Sequence, residues 1–459
     1  MDALAHPLTC FKAYDIRGRL GDELNADIAY RVGRAFAEVM KARRVVIGRD
    51  VRPSSEDLAG AVARGLMDAG AEVLDLGLSG TEETYFAVTH LGADGGICVT
   101  ASHNPMDYNG MKMVQAGSAP IGNESGMAAI KALAESGAFA ADAPGGKLTD
   151  ASGTRPAYVA KLMDFVDVSA LKPMTVLVNA GNGAAGPTFD AIAEALEKAG
   201  APLTFIRVDH EPDGSFPNGI PNPLLDENQP KTAGPVVEHG ADVGVAWDGD
   251  FDRCFFFDHE GGFVPGEYVV GLLAEAFLAK EPGEKIVHDP RIIWSTREVV
   301  AAMGGEAIQS KCGHSHIKQV MRDTGAVYGG EMSAHHYFRD FMACDSGMIP
   351  WLLMVELICR RGESLKDILA ERRANYPSSG EVNFRVGDQK AVIDRIEAEY
   401  APRAQGRDET DGLSLDFGDW RFNLRASNTE PLLRLNIEAR GKPDLVREKL
   451  AEMRALIEA

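Results

Sequence analysis

The sequence is poor in the features that mark secreted, membrane-spanning or nucleic-acid-binding chains. Only six of its 459 residues are cysteines (Cys10, Cys98, Cys254, Cys312, Cys344 and Cys359), and no two form a C-x-x-C pair. This excludes a disulfide framework or zinc ribbon, and the thiols read as reduced core residues of a cytoplasmic protein. No stretch reaches 18 uninterrupted apolar residues, and the opening Met1-Asp-Ala-Leu-Ala-His-Pro7 has no basic region leading into an apolar one, so neither a membrane span nor a secretory leader is expected. Basic charge is scarce as well: 47 Lys plus Arg stand against 68 Asp plus Glu, a formal net charge of −21. That balance argues against generic contact with nucleic acid or anionic membranes. An anionic ligand would need its own local cluster of Arg and Lys.

The composition itself, 45% hydrophobic and 25% charged, is that of an ordinary globular protein. Single cores stop growing at about 250–300 residues, so roughly three or four domains are expected. One pattern runs through the chain three times. A β-branched strand ends in a polar turn (Arg44–Asp50, Thr175–Gly181, Lys285–Arg291), then come a helical stretch and a second strand (Ala71–Gly77, Pro202–Val208, Glu306–Ser310). A third strand then runs into a loop rich in polar groups, at Ser102, at Asp248 and over Val327–Tyr337. Strands alternating with helices predict βαβ units and mostly parallel sheets, which gather ligands at the carboxyl ends of their strands.

After Tyr376–Gly380 the texture changes to a strand (Glu381–Val386), a helix over about 388–400, an acidic loop (Arg407–Gly412) and three short strands (Leu413–Phe417, Arg421–Leu424, Leu432–Glu438). A closing helix carries Leu445, Val446, Leu450, Met453 and Ile457 on one stripe. The reading is α/β: three similar mixed αβα domains over 1–150, 151–262 and 263–375, and a smaller C-terminal α+β domain over 376–459.

Four constellations carry chemistry. Ser102 lies in Thr100-Ala-Ser-His-Asn-Pro105, directly after the apolar run Gly96–Val99, with Lys112 ten residues on. It is either a turn-capping serine or an oxygen nucleophile, which would need a base or metal to activate it. Trp247-Asp-Gly-Asp-Phe-Asp-Arg253 places Asp248, Asp250 and Asp252 at alternate positions after a second apolar strand. The run is either a solvated acidic turn or a hard-metal site. It lacks the spacing of an EF-hand, and its all-oxygen set suits Mg²⁺. Glu331-Met-Ser333 with His335 offers groups that can hydrogen-bond adjacent hydroxyls of a sugar, whereas His336 reads as structural. Arg425-Ala-Ser-Asn-Thr429 has the composition of a phosphate cradle or of a capped turn.

These motifs, together with Phe11-Lys-Ala-Tyr-Asp-Ile-Arg-Gly18 and Asp107-Tyr-Asn-Gly110, resemble the α-D-phosphohexomutase superfamily and, within it, the bacterial phosphomannomutases, along essentially the whole chain. The resemblance implies four domains around a central cleft, and an enzyme that interconverts mannose 6-phosphate and mannose 1-phosphate for GDP-mannose synthesis. It implies a phosphorylated Ser102, with Mg²⁺ held by that group and by Asp248, Asp250 and Asp252, and a hexose 1,6-bisphosphate that serves as both intermediate and activator.

Glu331 and Ser333 would grip the sugar, and Arg425, Ser427, Asn428 and Thr429 the non-reacting phosphate, with Tyr14 and Arg291 also on the substrate. Arg17, Lys112, His314 and His335 are the candidates for proton transfer and charge stabilisation, and Arg253 for contact with the phosphoserine. Arg291 stands where many relatives have lysine. Met332 resembles the mannose and glucose mutases, whereas glucosamine mutases carry glutamine there. A dual mannose/glucose mutase and, at greater distance, a metal-dependent sugar phosphatase are the rival activities. A monomer or homodimer acting on a small hexose phosphate, with no nucleic-acid or membrane partner, is the expected form.

Overall fold

A computed structural model describes residues 1–12, 15–427 and 432–459. The chain forms two units, residues 1–263 with 340–361 and residues 264–339 with 362–459. None of the helices described is long and apolar enough to cross a membrane.

The first unit opens with β1 (Ile16–Arg19), α1 (Ala26–Met40), β2 (Arg44–Arg49), α2 (Pro53–Asp68), β3 (Glu72–Leu78), α3 (Thr81–His90), β4 (Gly95–Val99), β5 (Tyr108–Gln115), β6 (Ala119–Pro120), α4 (Ala128–Ser136) and β7 (Lys147–Asp150). Local chemistry sets the helix starts. The Asn25 side chain accepts the Ile28 N–H at the head of α1, and α2 begins on Pro53, whose missing N–H has no helical partner to lose. Val32 and Phe36 of α1 and Leu58 and Val62 of α2 share one core with Val45, Ile47, Ile97 and Val99 of the strands. The strand order is β1-β5-β4-β2-β3-β7, with β6 on β5. The same unit continues with α5 (Arg155–Met163), β8 (Met174–Asn179), α6 (Ala185–Lys198), β9 (Leu203–Val208), α7 (Pro230–His239), β10 (Val243–Trp247), β11 (Cys254–Asp258) and β12 (Phe263–Val264). Its second sheet carries the order β11-β10-β8-β9.

The second unit begins with α8 (Gly266–Lys280), β13 (Lys285–His288), α9 (Trp294–Ala302), β14 (Glu306–Gln309), α10 (His314–Thr324), β15 (Tyr328–Gly330) and β16 (His336–Phe338), in the order β14-β13-β15-β16. The next segment, with β17 (Cys344–Asp345) and α11 (Met348–Arg361), belongs to the first unit. There the Trp351 ring lies 5.5 Å from Phe189 and 6.1 Å from Phe205, and Glu356 accepts the Asp167 N–H at 3.0 Å. The second unit resumes with α12 (Leu365–Asn375), β18 (Ser378–Arg385), α13 (Gln389–Tyr400), β19 (Gly406–Asp408), β20 (Leu413–Asp416), β21 (Trp420–Ala426), β22 (Leu432–Ala439) and α14 (Pro443–Glu458). This last sheet, ordered β18-β22-β21-β20-β19, is antiparallel throughout. Val446, Met453 and Ile457 of α14 close its core over Phe422, Leu424 and Leu435.

The three αβα domains and the smaller α+β domain therefore stand as expected, and the threefold pattern is topological. In each αβα sheet the first strand of the repeat lies between the second and the third, parallel to both. The expectation of mostly parallel sheets needs correction. In all three the third strand turns straight back into an antiparallel fourth, pairing Val99 with Met111, Trp247 with Cys254, and Gly330 with His336. A parallel return needs a crossover of about a dozen residues or more, and these loops are too short to make one. The acidic run expected as a loop begins as the edge strand β19.

One buried carboxyl ties three elements of the first unit together. Glu82 Oε2 accepts the N–H groups of Gly347 (2.5 Å) and Met348 (3.3 Å) at the head of α11, while the Tyr158 hydroxyl of α5 bonds to Oε1. Desolvation pushes its pKa from 4.5 up to about 8 in spite of those donors. The fold thus holds a proton that the unfolded chain releases, so this contribution is full below about pH 4.5 and is lost as pH rises through about 8. Chemical denaturation of wild type and Glu82→Gln across this range should show the stability difference shifting toward the glutamine variant with rising pH. A difference independent of pH would mean that Glu82 is ionised in the fold throughout.

Candidate active site

The β4–β5 connection carries Ser102 in a left-handed backbone (φ 49°), a conformation that costs a non-glycine residue about 1–3 kcal/mol and recurs at functional sites. The loop is held from beneath. Arg52 donates to the carbonyls of Ser102 (3.1 Å), Asn104 (2.5 Å), Pro105 (2.9 Å) and Tyr108 (3.3 Å), and Asp50 accepts the Ala101 N–H at 3.2 Å. The Ser102 hydroxyl donates to Asp248 Oδ2 at 2.6 Å and lies 2.8 Å from His103 Nδ1. Arg253 completes the group, with Nε 3.0 Å from Asp248 Oδ2 and Nη2 3.4 Å from Ser102 Oγ and bonded to His103. Desolvation, reinforced by Arg253, pulls His103 down to about 4, so the ring is neutral at pH 7.

Asp248, Asp250 and Asp252 are buried on the β10–β11 loop, with ligand oxygens within 4.8 Å of one another. Burial alone would raise Asp248, but Arg253 and His103 hold it well below the usual carboxylate range. Burial and the neighbouring charge of Asp250 push Asp252 up. Lys112, delivered by β5, donates to Asp250 Oδ2 at 2.7 Å and also bonds Asp252, and these carboxylates raise its pKa against the pull of desolvation. Arg17 on β1 pairs with Asp15 at 2.6 Å and feels the charges of Asp250 and Asp252. A metal fits this donor set. All its ligands are carboxylate oxygens, as a hard cation requires, and Asp250 Oδ1 is buried without a hydrogen-bond partner.

The second unit assembles the other predicted groups. Glu331 Oε1 accepts the Gly313 N–H (2.8 Å) and Oε2 the Tyr337 hydroxyl (2.6 Å), while burial raises its pKa against the pull of Arg291. His335 stands beside it, with Nδ1 3.8 Å from Glu331 and 3.4 Å from Ser333 Oγ. His336 instead points into the core, bonded to the Tyr328 hydroxyl at 2.7 Å. His314 opens α10, next to Gly313. Arg291 is oriented by Asp289 (2.7 Å) and reaches Ser333 Oγ at 3.4 Å and Glu381 at 3.3 Å. Glu381 also accepts Arg425 at 3.0 Å and pairs with Arg434 at 3.3 Å, and these three guanidiniums hold its pKa down against burial. Ser427, half-buried, follows at the end of β21. Tyr14, Asn428 and Thr429 lie outside the described residues.

Sequence reasoning missed Asp50, Arg52, Thr81, His103, Asp289, Tyr337, Glu381 and Arg434. Some sat in view, since Asp50 ends a predicted strand and His103 adjoins Ser102. Thr81 and Glu381 carried no local signal. The two loops also approach closely at Gly249, where a Cβ would stand 2.5 Å from the Ser102 carbonyl oxygen. Gly249→Ala should therefore push the aspartate loop off Ser102 and lower kcat about 10-fold or more, as small misplacements do, with the fold intact by circular dichroism. Unchanged turnover would show that the loops need no such approach.

Comparison with known proteins matches this arrangement in every part of the chain. The phosphoglucomutase/phosphomannomutase alpha/beta/alpha domains I, II and III match residues 9–141, 156–262 and 265–376, and the family's C-terminal domain matches residues 381–456. A phosphomannomutase of Salmonella montevideo is 57% identical over 452 residues, covering 98% of this chain and 99% of its own. A Xanthomonas campestris protein named for phosphohexose mutases is 54% identical, with 98% and 99% covered. The crystal structure of a phosphoglucomutase/phosphomannomutase family protein from Burkholderia thailandensis superimposes with a TM-score of 0.86 at 31% identity, over 98% of this chain and 97% of that one. With its motifs, its four domains and its full-length relatives in agreement, the chain belongs to the phosphoglucomutase/phosphomannomutase family.

Proposed function

We propose that the protein is a phosphomannomutase that interconverts mannose 6-phosphate and mannose 1-phosphate through a phosphorylated Ser102 and a hexose 1,6-bisphosphate. The observation that carries this reading is the Ser102 hydroxyl, set in a left-handed turn 2.6 Å from Asp248 and flanked by Arg253 and His103. Asp248, Asp250 and Asp252 would hold Mg²⁺, which when bound supplies charge stabilisation to the phosphoryl group in transfer.

In the transfer, a hexose hydroxyl oxygen bonds to the phosphorus as the bond from phosphorus to Ser102 Oγ breaks and the hydroxyl's proton ends on Oγ. The second half-reaction returns the other phosphate to Oγ as the proton returns to the sugar oxygen it leaves. Arg253 steadies the phosphoryl group on Ser102, and Arg17 and Lys112 offset the negative charge around it. Glu331, Ser333 and His335 hold sugar hydroxyls. Arg425 and Ser427, with Asn428 and Thr429, take the distal phosphate, and Tyr14 and Arg291 also contact the substrate. The bisphosphate also primes Ser102, so it acts as activator as well as intermediate. Relatives named for phosphohexose mutases favour, as a second reading, a dual enzyme that also accepts glucose phosphates. The two sugars differ only in the orientation of the 2-hydroxyl.

Purified protein should contain a fraction one phosphate heavier, mapping to Ser102. With bisphosphate present it should convert mannose 1-phosphate to mannose 6-phosphate with little inorganic phosphate released. Loss of both properties in Ser102→Ala is expected, and stoichiometric phosphate release would identify a phosphatase instead. Running glucose 1-phosphate in parallel decides between the single and dual mutase. For the distal cradle, hydrogen bonds to charged groups are worth about 1.5–3 kcal/mol, so Arg425→Ala should lower kcat/KM roughly 10–150-fold and leave the phosphoserine intact. A full-rate Arg425→Ala variant would remove Arg425 from the cradle.

A further inference from the structure

The turn that opens α3 holds the aspartate loop at three successive residues. At Gly80 a Cβ would stand 2.2 Å from the Phe251 ring, so the turn must be glycine for this fully buried ring to seat on it. Thr81 comes next. Its N–H donates to the Asp250 carbonyl at 3.2 Å, and its hydroxyl to Asp250 Oδ2 at 2.7 Å. Glu82 acts at one remove through Gly347, whose carbonyl accepts the Trp247 indole N–H at 2.8 Å and where a Cβ would meet the Phe251 carbonyl at 2.3 Å. Phe251 is thereby kept in a left-handed backbone (φ 45°) that few non-glycine residues adopt.

We propose that Thr81 is a positioning residue for the cation site, fixing which oxygen of Asp250 faces the ion and registering the aspartate loop against the strand that leads to Ser102. The distribution of partners supports this. Asp250 Oδ2 is taken by Thr81 and by Lys112, whereas Oδ1, equally buried, has no donor and remains for a cation. The Thr81 hydroxyl also lies 3.9 Å from Cys98 Sγ on β4, the strand that ends just before the Ser102 loop. A single hydroxyl thus touches both the strand below the serine and the carboxylate of the loop opposite it. Partners of this kind, one bond removed from the ion, typically carry 10–100-fold of metal affinity.

The inference rests on the cation reading given above, and direct binding separates the two. Mn²⁺, which electron paramagnetic resonance detects when free, should be titrated into full-length wild type, Thr81→Val, Thr81→Ala and Thr81→Ser, alongside Mg²⁺ activation of the mutase assay. Valine and alanine should weaken Mn²⁺ binding about 10–100-fold and shift half-activation by Mg²⁺ by a similar factor, and serine, which keeps the hydroxyl, should restore most of both. Wild-type Mn²⁺ affinity in the valine or alanine variant would overturn the role of Thr81. So would serine being as impaired as valine, because space rather than the hydroxyl would then be what matters. Absence of Mn²⁺ binding by the wild type would reject the cation site itself, and Thr81's role with it.

Discussion

Three carboxylates share one buried loop, and most of the local architecture of the first unit answers that constraint. At 4.8 Å, two unit charges repel by roughly 3–4 kcal/mol at an effective dielectric of about 20, so the Asp248–Asp250–Asp252 loop cannot stay ionised without cations close by. The antiparallel return of β5 meets part of the need, because it sets Lys112 opposite Cys98 and so brings an ammonium onto two of the three groups. Arg253, last residue of the same loop, supplies the second cation, and Arg17 on β1 the third, itself shared with Asp15. Four carboxylates against three cations is a near balance. A phosphoryl group on Ser102 would add about −1.5 to −2, and a divalent cation is the size of charge that offsets it.

The second unit solves the opposite problem. Arg425 and Arg434 are register partners across β21 and β22, a like-charge pair that a sheet ordinarily avoids. Glu381, on β18, stands between them and also takes Arg291. One carboxylate thus keeps three guanidiniums gathered about a single point. The arrangement preorganises cationic donors whose mutual repulsion would otherwise splay them apart.

The sequence made the three αβα repeats, the C-terminal domain and the motif loops legible because each rests on local signals: β-branched strands, glycine punctuation and polar residues at strand ends. What it concealed depends on contacts between distant residues. The fourth strand of each repeat looked like a continuation of the loop, since nothing local distinguishes a short return from the start of a crossover. Arg52 drew no reading from the sequence, yet its guanidinium bonds four carbonyls about fifty residues away. Thr81 and Glu82 carried no local signal either. The two adjacent histidines, by contrast, stand as the sequence reading had them, His336 in the core on Tyr328 and His335 beside Glu331.

Helix α11 is encoded after most of the third αβα domain, yet it completes the first unit, where Trp351 packs against Phe189 and Phe205 and Glu356 caps the Asp167 backbone. The order of synthesis and the order of folding therefore part company. When residue 263 leaves the ribosome, the second sheet still lacks the helix that covers its aromatic face. About 100 more residues must be added before that helix exists, some 5–20 s at ordinary elongation rates. For that interval the nascent chain carries an uncovered apolar surface, and the aspartate loop lacks the Gly347 backbone that braces it. The aspartate loop in the first half of the polypeptide is thus finished only by its second half.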